Sequence, residues 1–156
     1  MTRVRRWAGI LASTLLLAAG CGIPADPDGT LDRVRGGVLR VGVSPHEPWT
    51  QVPADGEPTG SEPDLVRRFA AELDAQITWT SGGEEPLIAA LERGELELVI
   101  GGLTADTPWT SKAAITRAYT EAPDPAGEMR QHVMAAPMGE NAFLLELEQF
   151  LLRESP

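Results

Sequence analysis

The stretch ELELVIGGLTADTPW at residues 95–109 carries residue types suited to holding a small molecule. An apolar segment ends there in two glycines, of which Gly102 is the second, and Thr104, Asp106 and Trp109 follow. Glycine lets another molecule approach the backbone closely and leaves N–H groups free to donate. Such backbone beside a hydroxyl, a carboxylate and an indole is typical of a binding site for a small solute.

Three more side chains are candidates for the same site. Glu47 and Trp49 belong to the proline-containing segment SPHEPW, and Glu62 opens an apolar-periodic segment. Carboxylates beside indoles favour a cationic ligand through charge and cation–π attraction. Glu62 has a second interpretation, because a carboxylate at the N-terminus of a helix is stabilised by the helix dipole.

Catalysis requires an acid/base pair in a cleft that excludes water. The adjacent His46 and Glu47 are the candidate pair near the expected site. His132 falls in a segment with strand character, where we expect a structural role. We therefore predict no catalytic residue and a protein that is not an enzyme. A dehydratase- or lyase-like enzyme module is an alternative.

Composition excludes several kinds of site and partner. Cys21 is the single cysteine, so neither a disulfide within the chain nor a thiolate metal cluster can form. We expect no metal and no cofactor. The formal net charge is −10, from 23 acidic and 13 basic side chains, and offers no basic stripe for phosphate contacts. We therefore expect no nucleic-acid partner.

The N-terminus has the pattern of a secreted bacterial protein. Arginines in the first few residues precede an apolar run, and small residues lie directly before Cys21. LLLAAGC resembles the lipobox of bacterial lipoproteins, with Ala18 where leucine is usual. We predict a signal peptide at 1–20, acylation of Cys21 and a flexible tether at 21–37. The expected location is extracytoplasmic, lipid-anchored to the cell membrane on its periplasmic side or at the cell surface.

Apolar periodicity predicts the elements that must position these residues. Strands are predicted at 38–43, 76–80, 96–100 and 131–136, and amphipathic helices at 62–74, 84–93 and 140–153. Alternation of strand and helix implies βαβ units with parallel strands and right-handed crossovers. We therefore expect an α/β fold, with a mostly parallel sheet of three to four strands and helices on both faces.

The candidate residues follow the predicted strands. In open α/β sheets, ligands bind beyond the carboxyl ends of the parallel strands and near helix N-termini. Three loops satisfy that condition, at 44–49, 81–85 and 101–109. We expect these loops to meet at one edge of the sheet.

Several segments resemble a known family, in the family's order along the chain: LRVGVSPHEPW, GSEPDLVRRFAAEL, PLIAALERGELELVIGGLT and ITRAYTE. They are similar to the first lobe of the family 3 extracellular solute-binding proteins. Those proteins are the receptors of polar amino-acid ABC importers, two-lobed α/β proteins that close around a solute. HVMAAPMGENAFLLELEQFL resembles the family's final segment, where the chain returns to lobe one. The resemblance implies a periplasmic-binding-protein-like fold.

The resemblance also implies that one lobe is missing. The family's second lobe lies between these segments, where this chain has residues 120–130. A connection of that length spans at most about 40 Å, which suits a surface loop and not a domain. We therefore expect a single-lobed solute-binding domain at 38–156, with a loop at 120–130 in place of the second lobe.

Roles for individual residues follow from the same resemblance. It implies that Gly102 and Thr104 bind ligand through backbone and hydroxyl groups, and that Trp49 forms an aromatic wall. The family's arginine, which holds the ligand carboxylate, falls on Trp109, and an indole cannot replace its bidentate contact. We expect weak binding of a small polar or cationic solute.

The predicted function is a membrane-anchored, extracytoplasmic solute-binding domain, acting as a binding or accessory component of a transport system. Its expected partner is a membrane transporter or sensor protein, which would supply the second wall of the site. The alternative is an interaction or sensor lipoprotein that partners a membrane transporter and has no ligand of its own.

Overall fold

The computed structural model describes residues 24–154. Its helices are α1 (Thr30–Val34), α2 (Ser61–Glu72), α3 (Glu84–Glu92) and α4 (Asn141–Glu154). Its strands are β1 (Val38–Val43), β2 (Gln76–Ser81), β3 (Leu98–Ile100), β4 (Ala114–Ile115), β5 (Thr120–Pro123), β6 (Met129–His132) and β7 (Ala135–Ala136), and a 3-10 helix covers Pro108–Ser111. The predicted α/β class is confirmed.

A five-stranded mixed sheet in the order β2-β1-β3-β7-β4 lies at the centre. As predicted, β1 is parallel to both β2 and β3, because α2 and α3 are crossovers that return the chain in the same direction. β7 joins β3 antiparallel, with Ala135 opposite Val99, and β4 pairs with β7. The last part of the chain thus returns to the first βαβ units.

The expected sheet is corrected at its far edge. The segment 131–136 does not form one strand, since His132 ends β6 and Ala135 begins β7. The segment 120–130 is not an irregular loop either. It belongs to a β5–β6 hairpin in which Thr120 lies opposite His132. Strands this short carry too few residues for an alternating pattern, so periodicity does not reveal them.

Helices cover both faces of the sheet, as predicted. α1, α2 and α4 pack on one face, and α3 packs on the other. On the first face the ring centroid of Phe69 lies 5.9 Å from that of Phe143 and 5.3 Å from that of Phe150. Each such buried side chain contributes roughly 1.5–3 kcal/mol of transfer free energy. This packing holds the strand ends, and hence the loops that follow them, in place.

The predicted tether at 21–37 is shorter than expected. α1 lies within that range, and its Leu31 is buried in the core. Asp26 caps α4, because its Oδ1 accepts the N–H groups of Ala142 at 2.7 Å and Phe143 at 3.1 Å. The folded domain therefore includes chain from about Asp26 onward.

Two N-terminal predictions fall outside the described residues. The signal peptide at 1–20 and the acylation site Cys21 both precede residue 24. Between residues 24 and 154, no helix combines the length and the apolar character that crossing a membrane requires.

Candidate functional site

A tight turn after β1 positions the first candidate side chains. The N–H groups of Trp49 and Thr50 donate to the His46 carbonyl at 2.8 and 2.9 Å. The Thr50 hydroxyl donates to the Ser44 carbonyl, which fastens the turn to the end of β1. The turn leaves Glu47 exposed and Trp49 half-buried.

Glu62 lies beneath the glycine turn that follows β3. It is fully buried, with 0% exposure, and its Oε2 accepts the N–H groups of Gly101 at 2.9 Å and Gly102 at 3.0 Å. The Tyr119 hydroxyl donates to Glu62 Oε1 at 2.7 Å. Burial raises the pKa of Glu62, while these hydrogen bonds favour the charged carboxylate and oppose the rise.

This arrangement corrects two expectations. The N–H groups of Gly101 and Gly102 are engaged by Glu62 and are not free to bind a ligand. Glu62, expected to bind ligand, has no exposed surface and instead supports the turn from behind.

Gly102 makes room for two neighbouring rings. Its φ of +64° lies in the left-handed region, and a Cβ atom there would lie 2.8 Å from Trp49 Cδ1 and 2.9 Å from His46 Cγ. The absence of a side chain lets the turn after β3 pack directly against the turn after β1. The expected close approach is therefore made by the protein's own side chains.

The β5–β6 hairpin brings a further ring to these turns. Thr104 forms a β-bridge with His132, and the Ala105 N–H donates to the Gln131 carbonyl at 2.9 Å. The His132 imidazole, 5% exposed, lies against the Trp49 ring with centroids 3.8 Å apart and planes inclined by 31°. The expectation of a purely structural role for His132 is thus incomplete, because this residue also lines the cleft at the strand ends.

That cleft has a volume of about 690 Å³ and lies beyond the carboxyl ends of the parallel strands. Five predicted ligand-binding residues line it, namely Glu47, Trp49, Gly102, Thr104 and Asp106. Its lining also includes polar residues not assigned to ligand binding, namely His46, Glu84, Thr107, Asp124, Arg130 and His132. The three predicted segments therefore meet at this edge, and Glu84, the first residue of α3, is the contribution of the segment after β2.

Trp109 is not among the residues that line the cleft, contrary to expectation. Its ring packs against the apolar cluster on the α3 face, and its Nε1–H donates to Glu84 Oε2 at 2.9 Å. This hydrogen bond orients Glu84, which does line the cleft. The indole therefore supports a cleft residue and does not form a wall.

Acidic side chains outnumber basic ones in the cleft. Its lining contains the carboxylates of Glu47, Glu84, Asp106 and Asp124, and the guanidinium of Arg130. Arg130 Nη1 lies 3.2 Å from Asp106 Oδ2, and its Nε lies 3.2 Å from Asp124 Oδ2. The local charge is therefore negative, in keeping with the acidic chain.

The pKa values in the cleft follow these contacts. The Thr104 hydroxyl donates to Asp106 Oδ1 at 2.5 Å and lowers the pKa of Asp106, with Arg130 adding to the effect. Burial lowers the pKa of His132, and the neighbouring His46 lowers it further. His132 is therefore uncharged at neutral pH and does not offset the carboxylates.

Two buried polar atoms have no hydrogen-bond partner among residues 24–154: Thr107 Oγ1 and His132 Nδ1. Both residues line the cleft. Buried polar groups in folded proteins are nearly always paired with protein, water or a bound molecule. Both atoms are covered, so the lining of the cleft contains hydrogen-bonding capacity that the described residues leave unused. In the same range, no three His, Cys, Asp or Glu side chains are grouped as metal ligands are.

Some cleft residues were not predicted from the sequence, and they differ in whether the sequence contains any indication of their place in the cleft. Glu84 and Thr107 lie in loops already assigned to the strand ends, and their polar type is a usable signal. Arg130 and His132 reach the cleft because β6 bridges to Thr104 through long-range pairing. No local pattern indicates that pairing.

Solved structures share this fold. The arginine-bound form of domain 1 from TmArgBP aligns with 83% of this chain and 99% of its own, at a TM-score of 0.68 and 21% identity. Arginine-bound truncated ArgBP from T. maritima aligns with 81% of this chain and 99% of its own, at 0.68 and 15%. The ancestral cationic amino acid solute-binding protein AncCDT-1 aligns with 80% and 93%, at 0.67 and 16%. At these identities the likeness establishes the fold alone.

Curated relatives carry the name of an enzyme. Membrane-bound lytic murein transglycosylase F of Vibrio cholerae is 35% identical over 100 residues, and that of Aliivibrio fischeri is 28% identical over 100 residues. The matches cover 63% and 61% of this chain, and 18% and 19% of the relatives, so the chain spans about a fifth of their length. These relatives contradict the expectation that the protein is not an enzyme.

The family resemblance is borne out by a match over residues 39–130 to the bacterial extracellular solute-binding proteins, family 3. The matched range runs from β1 into β6 and includes the loops after β1, β2 and β3. An extracellular family agrees with the expected extracytoplasmic location. Because more than half of the sequence is matched, the chain belongs to the family 3 bacterial extracellular solute-binding proteins.

Proposed function

We propose that the chain is the ligand-binding domain of a membrane-anchored extracytoplasmic protein, and that its cleft binds a small cationic solute. Two features of the cleft support this function: its excess of carboxylates, and its two buried polar atoms without a partner. Ligand pockets typically combine a few convergent polar groups with aromatic walls. Trp49 supplies such a wall here.

The charges in the cleft favour a cation over an anion. Arg130 pairs with both Asp106 and Asp124 but balances only one of their two negative charges, and Glu47 and Glu84 add two more to the lining. No further Lys or Arg is found among the described lining residues. An ammonium or guanidinium group is therefore attracted by charge and can also lie over the Trp49 ring.

The partnerless atoms add hydrogen-bonding specificity. Thr107 Oγ1 and His132 Nδ1 can each accept a hydrogen bond, and because both atoms are covered, a ligand N–H group reaches them only when the side chains over them shift. Pairing either atom also removes the cost of leaving it buried and unsatisfied. A ligand with several N–H donors therefore fits this lining better than a purely apolar cation.

The expected affinity is low. Specific pockets bury about 70–90% of a ligand's surface, and all residues of this cleft come from one domain. We expect a Kd nearer millimolar than micromolar for the isolated chain. A partner that covers the open side of the cleft would raise the affinity.

Titration of the two-dimensional NMR spectrum tests the cation preference. Agmatine, which carries a guanidinium and an ammonium but no carboxylate, is expected to cause saturable shifts at Gly102 and Thr104. Propionate serves as the anionic probe and is expected to cause smaller shifts. A response to propionate without a response to agmatine would contradict the proposal.

A pair of matched variants tests whether the preference for a cation arises from the carboxylates of the cleft. Glu84→Gln keeps an acceptor for the Trp109 indole N–H and removes one charge from the cleft, so we expect agmatine affinity to fall about two- to fivefold. Glu85→Gln removes the same charge from an exposed neighbour on α3 that does not line the cleft. Equal losses in the two variants would show general electrostatics and not a local site.

Membrane anchoring through Cys21 is part of the proposed function. The lipobox-like sequence before Cys21 supports it, as does the name of the curated relatives, which describes them as membrane-bound. Cys21→Ser is expected to move the protein from the membrane fraction to the soluble fraction. Retention of that variant in the membrane would contradict acylation as the anchor.

We further propose that a membrane transporter or sensor protein is the partner that covers the cleft. Cross-linking in the native membrane, with Cys21→Ser as the control, is expected to capture one integral membrane protein with the wild-type chain. Equal capture by both forms would contradict an anchored partnership.

A second candidate function follows from the curated relatives. The 35% identity to a lytic murein transglycosylase favours a domain that serves a murein-cleaving enzyme and takes soluble murein fragments as its solute. The same titration with purified muropeptides tests it, with Trp49→Ala as the control. Tighter binding of muropeptides than of agmatine, lost in Trp49→Ala, would favour this candidate. The absence of any response would exclude it.

A further inference from the structure

The chain enters the folded domain at the edge of the sheet where the parallel strands begin. The Asn141 N–H donates to the Ala25 carbonyl at 3.1 Å, and the Asp26 carboxylate caps the same end of α4. This end of α4 follows β7, which runs antiparallel to β3 and so leads to the start of β3. We call this edge the amino edge, and the residues that line a cavity there include Asp28, Arg40, Gly94 and Glu140.

The ligand cleft lies at the opposite edge of the sheet. Its lining follows the ends of β1 and β3, whereas the residues of the amino edge precede these strands. A six-residue strand such as β1 is roughly 20 Å long, at about 3.3 Å for each residue. The ligand cleft and the point where the chain enters the domain are therefore separated by about the length of β1.

The connection between the domain and Cys21 is short. Cys21 precedes Ala25 by four residues, and a chain of that length spans at most about 14 Å. If the domain were anchored at Cys21 with its ligand cleft against the bilayer, Ala25 would lie roughly 20 Å or more above the bilayer surface. The connection is too short for that orientation.

The two edges also differ in charge. Behind the cavity of the amino edge, the buried Glu97 pairs with Arg40. Glu95 pairs with Arg93 at the same edge. With these two carboxylates counted, the amino edge is nearly neutral, whereas four carboxylates and one guanidinium line the ligand cleft. An anionic bilayer therefore repels the ligand cleft more strongly than the amino edge. The charged residues that line the amino-edge cavity are Arg33, Arg40, Arg93, Lys112, Asp28, Glu92 and Glu140.

The amino edge exposes side chains that suit the surface of a bilayer. Met138 lines its cavity and is 56% exposed, and Val38, the first residue of β1, is 43% exposed. The long side chains of Arg93 and Lys112 are each about half exposed. Apolar side chains enter the boundary between headgroups and acyl chains, while long basic side chains extend their charged ends to the phosphates.

We propose that the amino edge faces the membrane to which the chain is anchored, and that the ligand cleft opens away from the bilayer. This inference rests on the anchoring at Cys21, which is part of the proposed function. It adds a requirement for the partner, because a surface embedded in the membrane cannot reach the cleft. The part of the partner that covers the cleft lies outside the membrane, roughly 20 Å or more above the bilayer surface.

Paramagnetic relaxation in lipid nanodiscs tests this orientation. The chain from Cys21 onward is coupled through this thiol, the single cysteine of the sequence, to a lipid that carries a maleimide. The nanodiscs contain phosphatidylcholine, phosphatidylglycerol and a lipid with a gadolinium chelate on its headgroup. Relaxation enhancement falls steeply with distance, so the amide signals of Gly94 and Met138 are expected to lose several times more intensity than those of Thr104 and Asp124.

Two insertions test whether the short connection sets the orientation. A flexible Gly-Ser segment of about 20 residues placed after Gly22 lengthens the connection, so the difference in relaxation between the two edges is expected to fall. The same segment added after Pro156 is the matched control, because it leaves the connection unchanged, and the difference is expected to remain. Full retention of the difference with the longer connection would overturn the role of the connection.

Failure of the orientation and failure of the anchor give different results. Relaxation that is equal at the two edges, or stronger at the ligand cleft, would overturn the orientation, and chemical coupling makes this result independent of natural acylation. Recovery of the wild-type chain in the soluble fraction of cells would instead overturn the anchoring at Cys21, and with it the orientation in the cell. Wild-type-like amide dispersion in each form confirms that its fold is intact.

Discussion

The carboxylate of Glu62 lies directly behind the backbone of Gly102 and accepts its N–H at 3.0 Å. This contact ties the first turn of α2 to the turn that follows β3. The opposite side of Gly102 packs against the rings of Trp49 and His46. A buried carboxyl group and two rings therefore set the shape of the turn that presents Thr104 to the cleft.

Glu62→Ala is expected to lower the free energy of unfolding by about 3 kcal/mol or more, because two buried N–H groups and the Tyr119 hydroxyl lose their acceptor. Chemical denaturation measures the change. Asp64→Ala is the control, since Asp64 is a carboxylate in the same helical turn with a 66% exposed side chain. A loss in Asp64→Ala as large as that in Glu62→Ala would contradict the role of the buried contacts.

Glu62→Gln is expected to flatten the pH dependence of stability. Since burial raises the pKa of Glu62 above its ordinary 4.5, the folded state holds this proton to higher pH than the unfolded state does. The contribution of Glu62 to the free energy of unfolding is therefore fully present below about pH 4.5, and it is lost as the pH rises through the raised pKa. Unfolding free energies of both proteins across this range measure the effect. A constant difference between the two curves would contradict it.

Gly102→Ala is expected to destabilise the protein more than Gly94→Ala. Both glycines have positive φ, +64° and +70°, so alanine carries a strain of about 1–2 kcal/mol at either position. A Cβ at Gly94 meets nothing within 4 Å, whereas one at Gly102 collides with the rings of Trp49 and His46. Denaturation gives the two losses, and equal losses would show that the rings can move aside without cost.

Asp26→Ala is expected to cost about 1–2 kcal/mol, because the N-terminus of α4 loses its cap. Asp26 Oδ2 also accepts the Leu31 N–H at 2.9 Å, so the same change weakens the attachment of α1. Asp28→Ala is the control, since Asp28 contributes its backbone N–H to Glu140 at this junction. Thermal denaturation compares them, and similar losses would contradict the capping role.

His46→Ala is expected to raise the pKa of His132 toward its ordinary 6.5. Burial is the main cause of the lowered pKa, and His46 adds charge repulsion that the variant removes. NMR titration of the His132 ring measures the shift. In the wild type, the contribution of His132 to the free energy of unfolding is fully present above about pH 6.5. It is lost as the pH falls through the lowered pKa of this histidine. An unchanged or lower pKa in the variant would contradict the repulsion.

The periodicity of apolar residues was sufficient to predict the helices and strands that bury a continuous apolar face. The predicted strand at 38–43 matches β1, and the predicted helices at 62–74 and 84–93 match α2 and α3 within two residues at each end. Their apolar spacing is a local property, so it can be read without the rest of the chain. β4 and β7 have two residues each and carry no such spacing, so only their pairing partners define them.

By itself, the sequence determined the order of the three parallel strands and of the helices α2 and α3 between them, and with it the sheet edge where Glu47, Trp49, Thr104 and Asp106 come together. Only the tertiary structure decided which way other side chains face. Glu62 turns inward because buried N–H groups need an acceptor, and Trp109 packs beside α3. Arg130 and His132 reach the cleft by pairing with residues distant in the chain. Burial and hydrogen-bond partners depend on such distant residues, and a one-dimensional pattern does not contain them.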